Sequence, residues 1–433
     1  MRAFAVTAGL LLLGVVGLNA LAAWDAERQD RRFQAAAAFL QPGQAVIVTR
    51  ELDDRRLQRM RLQTIPRPAV VAFGSSRVMP LGGAALGLAP GQFYNAAVSA
   101  ASVEDHIAFW QLIKRAGRLP DIAIFSIDHW ALARSQEEVR WLALSEEVSE
   151  FLDGAGRGTG WGWAPLHALV YRWARFKDLF SYTVLKASAA DLERAARGRG
   201  RRGAEVEASL RRDVVAESQV GDRRAVRADG SLIYDRVYAG RAAEQVREEA
   251  VRFARAGARG LAEFRVDPER LARLELLWRD MRARGVEVVV YLPPYHPAAW
   301  ALIRAEPRAA TALADSAAAV AGLTARVGAR FLDASDPGSI PCDAGRFYDG
   351  DHARVECLRA VIERLLATPR PGGEGPQAAR PTQRLRPTVG STWPPSVVTR
   401  PATMSKRSST KRRAGRRSRS EVAVSRPVPS ERT

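Results

Sequence analysis

Residues 70–79 read VVAFGSSRVM, and this stretch decides the fold. The apolar run within PAVVAFG (68–74) is typical of a strand that is buried on both faces of a parallel sheet. The run stops at Gly74, and two serines and an arginine follow it. A strand with this ending either delivers a nucleophile to the edge of the sheet or enters an ordinary polar turn. The rest of the chain has to decide between these alternatives.

Strands and helices alternate on either side of this stretch. Further strands are predicted at QFYNAAV (92–98), PDIAIFSID (120–128), VEVVVYLPP (286–294) and ARFLDAS (329–335). Helices are predicted at 102–117, 267–285 and 353–367, with one or two alanine-rich helices before the last strand. Strands that alternate with helices indicate a parallel sheet covered by helices on both faces, which is an α/β fold.

The same patterns divide the chain into six segments. They are a transmembrane anchor or signal peptide (1–24), a helical stalk (25–66), the first part of the α/β domain (67–133), a mainly helical insertion (134–275), the second part of the domain (276–368) and a disordered basic tail (369–433). The insertion contains a possible turn into a short strand at 227–234. Because it starts at a strand end, we expect it to overhang the active site as a lid.

The N-terminus predicts export from the cytoplasm. Residues 3–24 are uncharged and mostly apolar, and at about 1.5 Å per residue such a helix can cross a hydrocarbon layer of about 30 Å. The small residues ALA at 20–22 are also typical of a signal-peptide cleavage site. We favour a single-pass bacterial inner-membrane anchor with a periplasmic domain over a secreted protein, and both over a buried helix of a soluble protein.

The charge of the chain is concentrated at its C-terminus. The formal net charge is +19, and residues 369–433 hold 15 Arg or Lys against 3 Glu. A basic, proline- and serine-rich tail is typical of disorder. It is either a nucleic-acid arm, a ligand for anionic envelope polymers or phospholipids, or a solvated extension. Since export separates the protein from chromosomal DNA, we expect no nucleic-acid partner and favour the solvated extension.

Side chains that can do chemistry stand at the predicted strand ends. In an open parallel sheet, functional groups gather beyond the carboxyl ends of the strands. Ser76 follows one strand, and the loop FYDGDHAR (347–354) carries Asp349 and His352 before the last helix. A serine needs a base to take its proton, and an imidazole titrates near neutrality. An aspartate on the other ring nitrogen would complete an acyl-transfer triad.

These motifs carry a family resemblance. The chain resembles the SGNH (GDSL-like) hydrolase superfamily, in particular membrane-anchored bacterial members with a Gly-Ser-Ser-Arg first block. The matching motifs are FGSSR (73–77), YNAAVSAAS (94–102), LPPYHP (292–297) and FYDGDHAR (347–354). The resemblance implies a flavodoxin-like three-layer α/β/α sandwich without a cofactor. It also implies that Ser76 is the nucleophile, with Asp349 and His352 on one loop.

The chain departs from the family pattern around the oxyanion. The aspartate that usually precedes the nucleophile is Ser75 here, and the second-block glycine, whose N–H stabilises the oxyanion, corresponds to Ala100. The third-block asparagine has no counterpart, since the strand end offers Asp128 and His129. Loss of one donor typically costs about 2.7–4 kcal/mol of transition-state stabilisation. We therefore expect either a replacement donor or a weak enzyme; the candidate donors are Arg77, Asn95 and His129.

Other residues have two interpretations each. His296 follows two prolines and either lines the substrate pocket or caps the next helix. The two remaining histidines, His106 and His167, are interpreted as structural. The tryptophans of the insertion pack in a core or a cap in preference to stacking on carbohydrate; they are Trp141, Trp161, Trp163 and Trp173.

Cys342 and Cys357 are the only cysteines, and they flank the loop with Asp349 and His352. We expect them to form a disulfide in an oxidising compartment, worth about 3 kcal/mol in the loop-entropy model. A metal site is not expected, because two such cysteines lack further ligands at a suitable spacing.

The sequence therefore predicts an envelope protein with serine ester chemistry. Its reaction is ester cleavage or acyl transfer on a cell-envelope glycan or lipid, through a covalent acyl-enzyme. The alternative is a weak or inactive relative that binds glycan. The sequence contains no signal for an oligomeric state.

Overall fold

The computed structural model describes residues 13–18, 40–48, 54–134, 138–156 and 214–369. All of them belong to one of two units into which the chain divides, Met1–Pro387. The predicted anchor lies outside the described residues except for 13–18, which are helical, and the predicted tail lies outside them except for its first residue. Among the described residues, no helix combines the length and apolarity needed to cross a membrane.

The elements follow the predicted alternation. The strands are β1 (Gln44–Ile47), β2 (Val70–Phe73), β3 (Phe93–Asn95), β4 (Ile122–Ser126), β5 (Val214–Ala216), β6 (Ala225–Arg227), β7 (Leu232–Ile233), β8 (Glu287–Leu292) and β9 (Arg330–Asp333). The helices are α1 (Asp54–Thr64), α2 (Val103–Arg115), α3 (Ser145–Gly154), α4 (Arg236–Ala239), α5 (Ala243–Ala262), α6 (Pro268–Ala283), α7 (Pro297–Ala305), α8 (Pro307–Val327) and α9 (Val355–Ala367).

The apolar runs form a parallel five-stranded sheet in the order β3-β2-β4-β8-β9. Successive residues of β4 face opposite sides: Ala123 and Phe125 belong to one hydrophobic cluster, and Ile122 and Ile124 belong to the other. A strand whose two faces are both covered needs apolar residues at every position, which explains the unbroken runs. The predicted α/β class with a parallel sheet is confirmed.

Helices cover one face, and a helix and a small second sheet cover the other. The first cluster is completed by α1, α2, α3, α6 and α8. Trp278 of α6 packs edge-on against Phe125, with 5.6 Å between ring centroids. The second cluster is completed mainly by α9 and residues of β1, β6 and β7.

The second sheet joins the predicted stalk to the predicted insertion. It is antiparallel, in the order β5-β1-β6-β7. Residues 25–66 were predicted to form a helical stalk, but β1 lies in this sheet and α1 buries Leu57 and Leu62 in the two clusters. The described second half of the predicted stalk is therefore part of the folded body.

The described part of the insertion contains helices and the short strands β5 to β7. The turn predicted at 227–234 connects β6 and β7. Gly230 there has φ +80, and a Cβ on it would lie 2.2 Å from the Asn95 carbonyl oxygen, so only glycine fits. Trp141 packs against the core. The other predicted residues of the insertion lie outside the described residues: Trp161, Trp163, His167 and Trp173.

Candidate active site

Ser76 is presented by a tight turn at the end of β2. A side chain at Gly74 would meet Val78 Cγ1 and Ser126 Cβ at 2.8 Å, so the chain passes close to β4 before it turns. Ser75 and Arg77 are buried, whereas Ser76 between them is partly exposed. The strand thus places a single hydroxyl at the carboxyl edge of the sheet.

His352 lies next to this hydroxyl, although it is far away in the sequence. Its Nε2 is 2.8 Å from Ser76 Oγ. The loop that carries His352 is held by main-chain bonds: Tyr348 N–H donates to the His352 carbonyl at 2.8 Å, and Asp349 Oδ1 accepts the N–H groups of Asp351 and His352 at 3.0 and 2.9 Å. The segment from Asp349 to His352 therefore folds back on itself and places the imidazole next to Ser76.

The other ring nitrogen of His352 faces two carboxylates. Nδ1 lies 2.9 Å from Asp349 Oδ2 and 3.2 Å from Asp351 Oδ1. Burial opposes a charge on His352, but the neighbouring Asp351 and Asp349 overcome it and raise its pKa to about 10. Burial likewise opposes the charge of Asp349, and hydrogen bonds from His352 and Tyr238 hold its pKa below the ordinary range. The arrangement favours an imidazolium between two carboxylates.

The predicted disulfide is present between Cys342 and Cys357, whose Cα atoms are 5.2 Å apart. Cys357 lies on α9, and Cys342 precedes the loop with Asp349 and His352. The bond therefore ties the beginning of this loop to the helix that follows it.

Ala100 has the backbone conformation that a glycine would adopt. Among the described residues other than glycine, it alone has a positive φ, +48, in the left-handed region that costs an L-residue about 1–2 kcal/mol. The main chain before it runs beside the nucleophile turn, because Val98 N–H donates to the Gly74 carbonyl at 3.1 Å. Ala100, which corresponds to the second-block glycine, thus adopts the left-handed backbone conformation that favours glycine although it is an alanine.

Arg77 is a buried connection between strand ends. Its Nε donates to the Asp351 carbonyl at 2.9 Å, its Nη1 to Asp128 Oδ1 at 3.2 Å, and its Nη2 to the carbonyls of Pro293 and Pro294 at 3.0 and 2.5 Å. Burial raises the pKa of Asp128 to about 6 against the charge of Arg77. Both side chains serve this internal link, which ties the turn after β2 to the loop of His352.

Asn95 and His129 are also directed into the protein. Asn95 is 0% exposed, and its amide donates to the carbonyls of Val78 and Leu81 at 2.9 Å each. His129 is 1% exposed, with Nε2 3.3 Å from Ser335 Oγ, and burial lowers its pKa to about 3. The expectation that Arg77, Asn95 or His129 replaces the missing oxyanion donor therefore does not fit the structure, since each is already bonded away from Ser76.

His296 and His106 have structural positions. His296 caps α7, because its Nδ1 accepts the Ala298 N–H at 3.1 Å, which is the second of its two interpretations. His106 is 2% exposed and packs edge-on against the rings of Phe73 and Phe125. Burial lowers the pKa of His106 to about 4.

Three residues at the site were not predicted from the sequence. Asp351 stands next to His352 in the quoted motif, so its acidic side chain was a visible signal. Tyr234 and Tyr238 come from the insertion: Tyr238 donates from its hydroxyl to Asp349 Oδ2 at 2.6 Å, and Tyr234 to the Ser76 carbonyl at 3.5 Å. Nothing local in the sequence marks these tyrosines, because their partners are distant in the chain.

Asp349, Asp351 and His352 also form a possible metal-binding group, with potential ligand atoms within 4.8 Å of one another. Both ring nitrogens of His352 already have partners, however: Nδ1 faces the carboxylates, and Nε2 faces Ser76. The contact between Nε2 and the Ser76 hydroxyl suits proton transfer. A metal ion bound to Nδ1 would have to displace Asp349 from His352.

Comparison with known proteins does not identify a family. No family model matches the chain, and neither curated proteins nor solved structures show a significant similarity to it.

Proposed function

We propose that this chain is an SGNH-type serine esterase or O-acyltransferase. The observation that carries the proposal is the line of contacts from Ser76 Oγ to His352 Nε2, 2.8 Å, and from His352 Nδ1 to Asp349 Oδ2, 2.9 Å. These are the contacts that a nucleophile, its base and an orienting carboxylate require. The strand order β3-β2-β4-β8-β9 also corresponds to the flavodoxin-like order, which the resemblance implies.

The contacts define the steps of the reaction. Neutral His352 takes the proton of Ser76 as Oγ attacks the ester carbonyl, and the resulting imidazolium is stabilised by Asp349. The tetrahedral intermediate collapses to an acyl-serine when His352 returns the proton to the leaving alcohol. Water or an acceptor hydroxyl then attacks the acyl-serine by the same proton transfers. The main chain at Ala100 is the proposed source of an oxyanion donor.

The proposed setting is the bacterial cell envelope. The disulfide between Cys342 and Cys357 supports a compartment with oxidising chemistry, such as the periplasm. With the apolar N-terminus as a membrane anchor, the substrate would be an acyl ester of an envelope glycan or lipid.

A second candidate is a non-catalytic envelope protein that binds glycan. One observation favours it: the three side chains considered as replacement oxyanion donors are each buried and bonded elsewhere. With one donor fewer, turnover would fall by about 10²–10³.

A fluorophosphonate probe separates these candidates. If the proposal holds, the full-length chain is labelled, and Ser76→Ala and His352→Ala each abolish labelling. Ser75→Ala is the matched control, because this neighbouring hydroxyl is 1% exposed, and it should keep the label. Absence of labelling in folded protein would favour the glycan-binding candidate.

A further inference from the structure

The insertion reaches the candidate triad through the hydroxyl of Tyr238. This hydroxyl donates to Asp349 Oδ2 at 2.6 Å, and the same oxygen lies 2.9 Å from His352 Nδ1. Tyr238 and His352 therefore share one carboxylate oxygen. Asp349 Oδ1 accepts the main-chain N–H groups of Asp351 and His352, which orient the carboxylate, and it also lies 3.0 Å from His352 Nδ1. The tyrosine therefore acts on one of the two carboxylate oxygens that face the base.

Contacts elsewhere in the protein hold Tyr238 in place. Asp235 caps α4 and accepts the Tyr238 N–H at 2.9 Å. The tyrosine ring packs beside the ring of Tyr348, 5.6 Å between centroids, and beneath the guanidinium of Arg241 at 4.7 Å. The hydroxyl is thus directed at Asp349 by a backbone cap and by ring packing, which is a prearranged donor rather than a chance surface contact.

The hydroxyl remains a donor over the working pH range. Burial and the charge of Asp349 raise the pKa of Tyr238 above its ordinary value of 10, so the phenol keeps its proton while His352 titrates. A hydrogen bond to a carboxylate stabilises its charge and weakens its attraction for a second donor. Tyr238 therefore opposes the pull of Asp349 on the imidazolium.

We propose that Tyr238 is a positioning residue that moderates the hold of Asp349 on the His352 proton and so keeps His352 usable as a base. The inference rests on the proposed function. Two carboxylates beside one imidazole favour a protonated base that cannot accept the serine proton, and the phenol offsets part of that effect. Charged and titratable groups packed around this loop and around Tyr238 include Asp349, Asp351, Tyr234, Tyr238, Tyr348, Arg77, Arg241, Arg354 and His296. The insertion would thereby set the pH range in which Ser76 is activated.

The test compares Tyr238→Phe with the full-length wild type over a range of pH. Without the hydroxyl, Asp349 attracts the imidazolium more strongly, and the pKa of His352 should rise by about half a unit to one unit. The midpoint of the acid limb in the pH profile of fluorophosphonate labelling should rise by the same number of pH units. Labelling near neutrality should then fall by about three- to tenfold and recover on the alkaline plateau. A purely structural role would lower labelling at every pH without moving the limb.

The matched control is Tyr348→Phe, which removes a hydroxyl from the neighbouring ring and should leave the limb in place. Titration of histidine ring signals by NMR gives a readout that needs no activity, because the chain has five histidines and His352→Ala assigns the relevant signal. A rise of the His352 pKa in Tyr238→Phe supports the inference even if Ser76 does not react, in which case only the proposed function fails. An unchanged or lowered pKa overturns the inference.

Discussion

Ser76 owes its proposed reactivity to neighbours that come from other parts of the chain. The hydroxyl lies 2.8 Å from His352 Nε2, and the imidazole is flanked by Asp349 and Asp351. A serine hydroxyl alone is a poor nucleophile, whereas one that contacts a base is activated by proton transfer. The second carboxylate further stabilises the imidazolium and so lowers the fraction of His352 that is neutral and able to accept the serine proton.

Asp351→Asn should shift the activity to lower pH. His352 must be neutral to accept the serine proton, so labelling is lost as the pH falls through the pKa of His352. Asp351 helps to raise this pKa above the ordinary 6.5. Removing its charge should therefore shift the midpoint of the acid limb of the pH profile down by about one pH unit. The measurement is the labelling rate against pH, with Glu363→Gln on the exposed side of α9 as a control that leaves the limb unchanged. A limb that stays in place or rises would contradict the assigned role of Asp351.

Ala100→Gly should stabilise the protein or leave its stability unchanged. The left-handed conformation at Ala100, φ +48, costs alanine about 1 kcal/mol more than glycine, which offsets the greater freedom of glycine in the unfolded chain. Ala101→Gly is the matched control, because Ala101 is buried in the core and loses a packed methyl group. Urea unfolding should therefore show a loss of stability for Ala101→Gly and none for Ala100→Gly. A loss of stability in both would contradict the strain at Ala100.

At the residue scale, the sequence was most informative where residue type and strand end coincide. Ser76, Asp349 and His352 were predicted because a hydroxyl, a carboxylate and an imidazole at neighbouring strand ends have few other uses together. Asn95 was predicted as one of three candidate oxyanion donors, but its amide bonds to carbonyls of the turn after β2. Such side chain to main chain bonds depend on how loops fold back, which residue type does not reveal.

At the scale of elements, α1 supports the loop that follows β3. Asp54 accepts the Ser99 N–H at 2.5 Å, and Arg55 donates to the Ser99 carbonyl at 3.3 Å. Arg55 also makes a two-pronged bond to Asp105 of α2, at 2.7 and 2.8 Å, with both side chains buried. The helix predicted as part of a stalk therefore holds the main chain next to Ala100.

Arg55→Met should be strongly destabilising. The substitution leaves the buried carboxylate of Asp105 without its cation, and breaking such a pair typically costs about 3–5 kcal/mol. Urea or thermal unfolding measures the loss, with Arg247→Met as the control. Arg247 pairs with Glu244 on the exposed face of α5, where solvent screens the pair, so its loss should leave the stability nearly unchanged. Equal losses in the two variants would contradict the role given to α1.

Elements with a continuous apolar pattern could be predicted, and those without one could not. The four strands after β2 in the parallel sheet and the helices between them follow from apolar runs, caps and prolines. One or two alanine-rich helices were expected before β9, and the structure has two, with α8 beginning at Pro307. The second sheet was missed because β1 is a four-residue run within polar sequence. Its partners β5 and β6 lie far along the chain, so no local periodicity in the sequence predicts that they pair with β1.

At the scale of the whole molecule, the disulfide should contribute measurably to stability. Closing the loop between Cys342 and Cys357 is worth about 3 kcal/mol in the chain-entropy model. The double variant Cys342→Ala and Cys357→Ala should unfold at lower urea concentration and be insensitive to reductant, whereas reductant should destabilise the wild type. Mass mapping without reduction should show the two residues joined. Two free thiols in exported protein would contradict both the bond and the proposed envelope location.

The most direct measurement is peptide mass mapping of the full-length chain after reaction with a fluorophosphonate at alkaline pH, where His352 is neutral. We expect one phosphonyl adduct, on the peptide that contains Ser76, and no adduct in His352→Ala. A folded wild-type chain that takes no adduct, or takes it on another serine, would contradict the proposal that Ser76 and His352 act together as nucleophile and base.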